Sequence, residues 1–270
     1  MKDVFSLNSE IAVVTGALGK LGPVWIESLL DAGASVFALD LPETPLSEKF
    51  RKLQSLHGDT RLQLDRTDVR NRRSLEAACQ NCITALGTPS VLVNNAGIDR
   101  PPASSAKGYL LEDIPLEENR AIFEVNILGL FQTTQVFGNR MVAAGRGSII
   151  NIGSLYASVS PDERFYSHIP GDPPFLKPPA YGASKAAVVN LTRYLATLWA
   201  PYGVRVNALS PGGVLGGQDE EFKRKFCERV PLGRMATPED LCGPLVFLAS
   251  QASSYVTGTE LIVDGGFTAW

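Results

Sequence analysis

Ile11-Ala12-Val13-Val14-Thr15 runs directly into Gly16-Ala17-Leu18-Gly19-Lys20-Leu21-Gly22. The first run is apolar and rich in β-branched residues, as a strand covered on both faces requires. Glycines at 16, 19 and 22 then permit a tight turn, close approach of the backbone to a pyrophosphate, and close packing of the next helix. The helix N-terminus offers free N–H groups and the positive end of its dipole to that anion. Gly16, Gly19, Lys20, Leu21 and Gly22 are therefore candidate pyrophosphate contacts. A glycine motif alone carries little, but this one follows a strand and opens a helix, which is the context a dinucleotide site needs.

The second apolar run closes on Ala38-Leu39-Asp40. A carboxylate about twenty residues beyond the glycine turn accepts hydrogen bonds from the adenosine ribose and repels a 2′-phosphate. NAD is the expected cofactor, with NADP less favoured. Asp68 and Val69, after the third run, sit where the adenine would lie; Asp68 either accepts from the adenine amino group or caps the following helix.

Strand-like runs continue to alternate with segments of helical period. Strands are predicted at 11–15, 35–39, 61–64, 90–93, 147–152, 204–209 and 260–263, and helices near 20–32, 46–56, 70–86, 116–144, 181–200, 219–229 and 238–250. The pattern predicts an α/β fold of Rossmann type: a doubly wound, seven-stranded parallel sheet with helices on both faces and ligands at the strand carboxyl ends. The 270 residues fit one dinucleotide-binding and catalytic domain spanning 1–270.

Composition narrows the function. With 44% hydrophobic and 20% charged residues, a core forms without disulfides or metals. A net charge of −3 gives no reason to expect nucleic acid or an anionic membrane as partner. No apolar run reaches the ~20 residues of a membrane span, and the N-terminus lacks a signal-peptide core. Cys79 and Cys82 form a Cys-x-x-Cys within a helical pattern; with only His57 and His168 available, no metal site is expected. The four cysteines are expected to be reduced thiols in a cytoplasmic protein.

Ala180-Tyr181-Gly182-Ala183-Ser184-Lys185 places a phenol and an ammonium on one helix face, a turn apart. A tyrosine alone, with a pKa of ~10, is a poor base at neutral pH. A neighbouring cation stabilises the phenolate and brings proton exchange into working range. Before this helix, residues 156–179 are rich in proline (161, 170, 173, 174, 178 and 179) and include Phe165, Tyr166 and Phe175. They suit neither a central strand nor a regular helix, so a lid beside the site is expected.

These motifs together resemble the short-chain dehydrogenase/reductase family over nearly the whole chain. The resemblance rests on Thr15–Gly22, Asn94-Asn95-Ala96-Gly97, Asn126, Ser154, the Tyr181/Lys185 pair and Pro211-Gly212. It implies a tetrad of Asn126, Ser154, Tyr181 and Lys185. Tyr181 would exchange a proton with the substrate oxygen, and Ser154 would orient that oxygen. Lys185 would acidify the tyrosine and hold the nicotinamide ribose, while Asn126 would position a relay water. Asn95, Ala96 and Gly97 would line the adenosine side, and Pro211, Gly212 and Val214 the carboxamide.

Two departures from the family pattern stand out. The glycines follow the Gly-x-x-Gly-x-x-Gly spacing of longer, nucleotide-sugar-modifying members. Residues 155 through 180 separate Ser154 from Tyr181, a longer interval than the family keeps, which implies an insertion. Arg100, Tyr156, Arg164 and His168 are candidate substrate contacts, and residues 213–231 would form a mobile substrate loop. The resemblance implies interconversion of a secondary alcohol and a ketone, on a sugar, polyol, sugar acid or sugar-nucleotide. Alternatives are a 3-oxoacyl-thioester reductase using NADPH and a non-catalytic NAD-binding sensor. The ending Val263-Asp264-Gly265-Gly266-Phe267 resembles the family's subunit contact, implying a homotetramer or homodimer.

Overall fold

The computed structural model describes residues 3–99 and 108–270. Seven strands form one sheet: β1 (Ile11–Thr15), β2 (Ser35–Asp40), β3 (Leu62–Arg66), β4 (Val91–Asn94), β5 (Gly147–Ile152), β6 (Val204–Pro211) and β7 (Glu260–Val263). Their order is β3-β2-β1-β4-β5-β6-β7, and every pair is parallel. Successive side chains on β1 serve opposite layers. Ala12 and Val14 pack in one cluster with Trp25, Ile26, Leu29, Leu245 and Leu248, while Val13 packs in another with Phe37, Leu92, Phe137 and Trp199. Two buried faces explain why the strands read as continuous apolar runs.

Helices α1 (Gly22–Asp31), α2 (Glu48–His57) and α3 (Arg72–Ala85) connect the first four strands. The chain winds outward from β1 to β3, then returns beside β1 at β4. That reversal opens a crevice at the carboxyl ends of β1 and β4, the usual ligand position in such sheets. Helix α3 begins two residues later than the sequence predicts because Asn71, whose side chain accepts from Ser74 N–H, is its cap. Asp68 therefore does not cap it.

The long helix expected at 116–144 divides. Helix α4 (Leu116–Phe123) passes through a π turn (Glu124–Gly129) into α5 (Leu130–Ala144). Period alone cannot reveal that extra residue, and π turns concentrate at functional sites. Helices α6 (Pro179–Trp199), α7 (Glu220–Glu228) and α8 (Cys242–Ala249) complete the α-helices of the described residues. Strand β6 outruns its predicted end because Pro211 still pairs in register with Val263.

Candidate active site

At the end of β1 the chain turns at Gly16, whose φ is +62°; a Cβ there would lie 2.8 Å from the Ala96 Cα. A Cβ on Gly22 would meet the Ala17 carbonyl at 2.4 Å, so α1 packs against the turn only as glycine allows. No side chain caps α1. Pro23 brings no N–H and Val24 N–H already bonds the Leu21 carbonyl. The positive end of the helix, the backbone N–H groups just before Pro23 and the glycine cradle are therefore what suit an anion such as a pyrophosphate. Asn95 holds the turn in place: its Nδ2 donates to the carbonyls of Thr15 (3.0 Å) and Gly16 (2.9 Å), and its Oδ1 accepts from Trp25 Nε1 at 2.7 Å. What Asn95 presents to the cleft is therefore not its amide tip.

Asp40 is 9% exposed at the end of β2. Its Oδ2 accepts from Leu18 N–H at 2.7 Å and its Oδ1 from Leu41 N–H at 2.8 Å. Asp68 is forked by Arg70, whose Nη2 lies 2.7 Å from Oδ2, and this holds the Asp68 carboxyl below its ordinary range. Lys20 turns away from the ribose end. Its ammonium donates to the Val214 carbonyl at 3.2 Å, and burial there lowers its pKa. Gln218 donates to the same carbonyl at 2.9 Å.

One cleft of about 710 Å³ joins these groups to the carboxyl ends of β4, β5 and β6. Gly16, Gly19, Lys20, Leu21, Asp40, Asp68, Val69, Asn95, Ala96, Gly97, Pro211, Gly212 and Val214 all line it, as do Ser154, Tyr156, Tyr181 and Lys185. Gly22 and Asn126 stand behind the lining.

Tyr181 and Lys185 occupy the first turns of α6, and the Ser154 hydroxyl at the exit of β5 is hydrogen-bonded to the phenol. Lys185 Nζ donates to the Ile152 carbonyl at 2.8 Å and lies 5.7 Å from the Tyr181 ring centroid. Asn126 sits in the π turn with its amide fully engaged. Nδ2 donates to Ile98 O (3.0 Å) and Ser184 Oγ (3.1 Å), while Oδ1 accepts from Ile98 N–H at 2.8 Å. It thereby fixes the strand end that faces the lysine.

Burial draws the Lys185 amine down to about 8, against a smaller upward pull from Asp99. Burial also pushes the Tyr181 phenol up; the Asp99 carboxylate adds to that, and the Ser154 hydrogen bond opposes it. The expectation that one amine suffices to acidify the phenol therefore misses two contributions, desolvation and a second charge.

The insertion at 156–179 reaches this cleft. It carries two short 3₁₀ turns, Leu155–Ala157 at its start and Glu163–Phe165 within it. Phe165 packs among Phe222, Phe226 and Phe267, with centroids 5.6 to 6.2 Å apart, and Tyr166 stacks near Phe175 and Phe222. Tyr156 stands edge-on to Tyr181, with centroids 6.5 Å apart.

Arg164 and His168, expected at the substrate, do not line the cleft. The Arg164 side chain is 81% exposed and forks onto Asp162. His168 Nε2 bonds Asp219 Oδ1 at 2.8 Å, which ties the insertion to the start of α7. Both polar groups find partners nearer than the cleft. Arg100 lies outside the described residues.

Sequence reasoning missed Lys177, named Tyr166 as part of the lid, reached Gln218 only as a member of the 213–231 loop, and gave Asp99 no place in the cleft; all four line it. For Lys177 the signal was present: a lone cation within Pro173-Pro174-Phe175-Leu176-Lys177-Pro178-Pro179. The Cys79 and Cys82 side chains are buried in α3, where burial pushes the Cys82 thiol up to about 12. No helix among the described residues is long and apolar enough to cross a membrane.

The sequence model described as enoyl-(acyl carrier protein) reductase matches residues 21–268. A galactitol 2-dehydrogenase (L-tagatose-forming) of Cereibacter sphaeroides is 33% identical, covering 100% of this chain and 99% of its own. An NAD-dependent glycerol dehydrogenase of Listeria innocua is 32% identical over 98% of this chain and 96% of its own. Among solved structures, a gluconate 5-dehydrogenase from Burkholderia cenocepacia in complex with NADP and tartrate superposes with a TM-score of 0.84. It is 31% identical, covering 99% of this chain and 98% of that one. A short chain dehydrogenase from Leptospira borgpetersenii with bound NAD+ gives 0.84 at 32% identity, covering 99% and 96%. With the cleft, these matches establish that the chain belongs to the short-chain dehydrogenase/reductase family and is an oxidoreductase acting on CH–OH groups.

Proposed function

We propose that the protein is an NAD-dependent dehydrogenase interconverting a secondary alcohol and a ketone on a polyhydroxylated substrate: a sugar, polyol, sugar acid or sugar-nucleotide. One observation carries the reading. The Tyr181 phenol, Ser154 hydroxyl and Lys185 amine line the same cleft as the glycine cradle and Asp40. A bound nicotinamide dinucleotide supplies the hydride acceptor or donor, and the protein supplies alignment and proton exchange.

Tyr181 takes the proton from the substrate hydroxyl during oxidation and returns it during reduction. Ser154 hydrogen-bonds the same oxygen and fixes its direction. Lys185, anchored on Ile152, holds positive charge beside the phenol and reaches the ribose. Asn126 acts by securing Ile98 and Ser184. Asp40 reads the ribose hydroxyls and disfavours a 2′-phosphate, and Lys20, turned onto Val214, leaves that end without its charge. Curated relatives named for galactitol, glycerol and D-threitol support the substrate class. So does a substrate end bearing Tyr156, Tyr166, Asp99, Lys177 and Gln218.

Nicotinamide absorbance, followed with a panel of polyols, sugar acids and sugar-nucleotides and both cofactors, tests the reading. Turnover of a polyol or sugar acid with NAD is the expected result. Reduction of an acetoacetyl thioester with NADPH and no sugar turnover would replace it with the acyl-thioester reading. Tight NAD binding with no turnover of anything would leave a sensor. We also propose a homotetramer or homodimer. Exposed Phe123, Leu128, Tyr194, Leu198 and Tyr202 on α4, the π turn and α6 with its C-terminal 3₁₀ turn support it; a monomeric mass by light scattering would refute it.

A further inference from the structure

Among the described residues, two cations flank Tyr181. Lys185 approaches from its own helix, and Lys177 from the insertion, with Nζ 5.1 Å from the ring centroid against 5.7 Å for Lys185. Lys177 is 6% exposed, yet it sits in a proline-bounded segment with no regular structure. Its ammonium meets Asp99 Oδ2 at 2.5 Å. Asp99 follows β4, lines the cleft with a side chain 33% exposed, and its charge acts on both Tyr181 and Lys185. Among the described residues, the remaining groups facing the phenol are Ser154 and Tyr156 from the exit of β5.

A carboxylate in this cleft can accept hydrogen bonds from a polyhydroxylated substrate. Beside a tyrosine that must ionise it is also harmful, because like charge disfavours the phenolate. We propose that Lys177 is a positioning residue whose ion pair with Asp99 cancels that carboxylate's charge at Tyr181, so that the insertion tunes proton exchange as well as walling the pocket. The proposal rests on Tyr181 as the proton-exchanging group.

The sign follows directly. Alcohol oxidation needs the phenolate, so kcat/KM rises with pH through the apparent ionisation of Tyr181. Removing the Lys177 cation destabilises the phenolate and moves that limb to higher pH. Removing the Asp99 anion moves it to lower pH. An opposing charge within ~4–6 Å shifts an ionisation by about 1–3 units. With Nζ 5.1 Å from the ring, the Lys177→Met limb should therefore move up by about one unit, roughly tenfold in rate on the limb, and the Asp99→Asn limb should move down.

The test is the pH profile of kcat/KM for the best alcohol found in the panel, measured for Lys177→Met, Lys177→Arg, Asp99→Asn and the double variant Lys177→Met/Asp99→Asn. The expected result is an upward limb for Lys177→Met, a downward limb for Asp99→Asn, and near-normal limbs for Lys177→Arg and the double variant. A merely structural lysine would change KM or stability and leave the limb in place, which would overturn the proposal. So would a double variant as impaired as Lys177→Met. Should Lys177→Met not fold, Asp99→Asn decides alone, since a limb that stays or rises overturns the idea.

Should the wild type oxidise no alcohol, the functional reading fails separately. The pair is then read by 13Cζ-tyrosine magnetic resonance titration, with Tyr181→Phe giving the assignment. A lower titration in Asp99→Asn than in wild type supports the proposal; equal titrations, or none in either protein, overturn it.

Discussion

Replacing Asp40 by alanine should weaken the preference for NAD in two separable ways. The carboxylate takes one hydrogen bond from Leu18 N–H at 2.7 Å and one from Leu41 N–H at 2.8 Å, which fastens the glycine turn to the end of β2. Truncation leaves two backbone donors without that partner, at about 1–3 kcal/mol each where they stay buried, and the turn loosens for any dinucleotide. It also removes an anion from the ribose end of the cleft. A unit charge ~4 Å from a phosphate costs about 4 kcal/mol at an effective dielectric of ~20. Solvent in the open cleft reduces the expected effect to about 2–4 kcal/mol, so selectivity for NAD over NADP falls roughly 30- to 1000-fold.

Asp40→Asn separates the two effects. An amide oxygen still accepts from one of the two N–H groups, so the turn is better held, while the charge is gone. The asparagine variant should therefore gain NADP turnover nearly as much as alanine and lose less with NAD. Steady-state kcat/KM with both cofactors gives the ratio, and calorimetric binding of ADP-ribose and its 2′-phosphate gives it without any substrate. A ratio within about threefold of wild type in Asp40→Asn, by both measurements, would refute the electrostatic reasoning.

Tyr181→Phe should keep NAD affinity within a few-fold and lower turnover by ~10²–10⁴, the usual share of a positioned acid–base group; near-normal turnover would remove Tyr181 from the chemistry. Lys185→Met should lose activity yet raise thermal stability at neutral pH. With the folded amine near 8 and its ordinary value 10.5, the unfolded chain binds more protons between those values. The burial penalty, at most about 3 kcal/mol, is therefore full below pH 8 and fades toward 10.5; a melting-temperature gain that does not shrink across that window would contradict the sign. Phe165→Ala removes a buried ring from the insertion, a loss of about 3–5 kcal/mol. Because that ring joins the insertion to α7, the loss should raise KM and hydrogen exchange at 156–179 and 220–228 more than it lowers global stability; uniform protection across both segments would count against it.

The sheet was legible because both of its faces are covered. Runs such as Ile11–Thr15 and Gly147–Ile152 are apolar throughout, and a glycine-marked turn fixes the first of them to a helix. Tyr181, Lys185 and Ser154 were legible because strand ends and the first turns of a helix fix their positions. Asn126 was located, but the π turn that holds it was not, since one extra residue within 116–144 leaves the apolar period almost unchanged. Lys20 was placed beside the cleft, which it lines, but the direction of its ammonium was not legible: it goes to Val214, 194 positions along the chain. No local pattern encodes a contact of that separation.

The insertion shows the limit most sharply. Its polar residues looked like substrate contacts because they lie between Ser154 and Tyr181 in sequence. In the fold Tyr156 does line the cleft, but the charged and imidazole side chains are held by pairing elsewhere. His168 holds Asp219, Asp162 receives Arg164 and Arg229 (3.3 Å to the latter), and Lys225 donates to Ser167 at 2.9 Å and to the Arg164 carbonyl. Beneath them Phe165, Tyr166, Phe222 and Phe226 form one apolar cluster with Phe267. A segment without regular secondary structure satisfies its polar groups through its neighbours, so its polar side chains pair with one another, as Arg164 does with Asp162, or with α7, as His168 does. Besides Tyr156 and Tyr166, the charged group of the described insertion that faces the chemistry is the one the pattern marked least: a single lysine between prolines, buried against a carboxylate and a tyrosine ring. In such inserts burial identifies the functional cation better than polarity does, because a charge taken out of water persists only where a partner requires it.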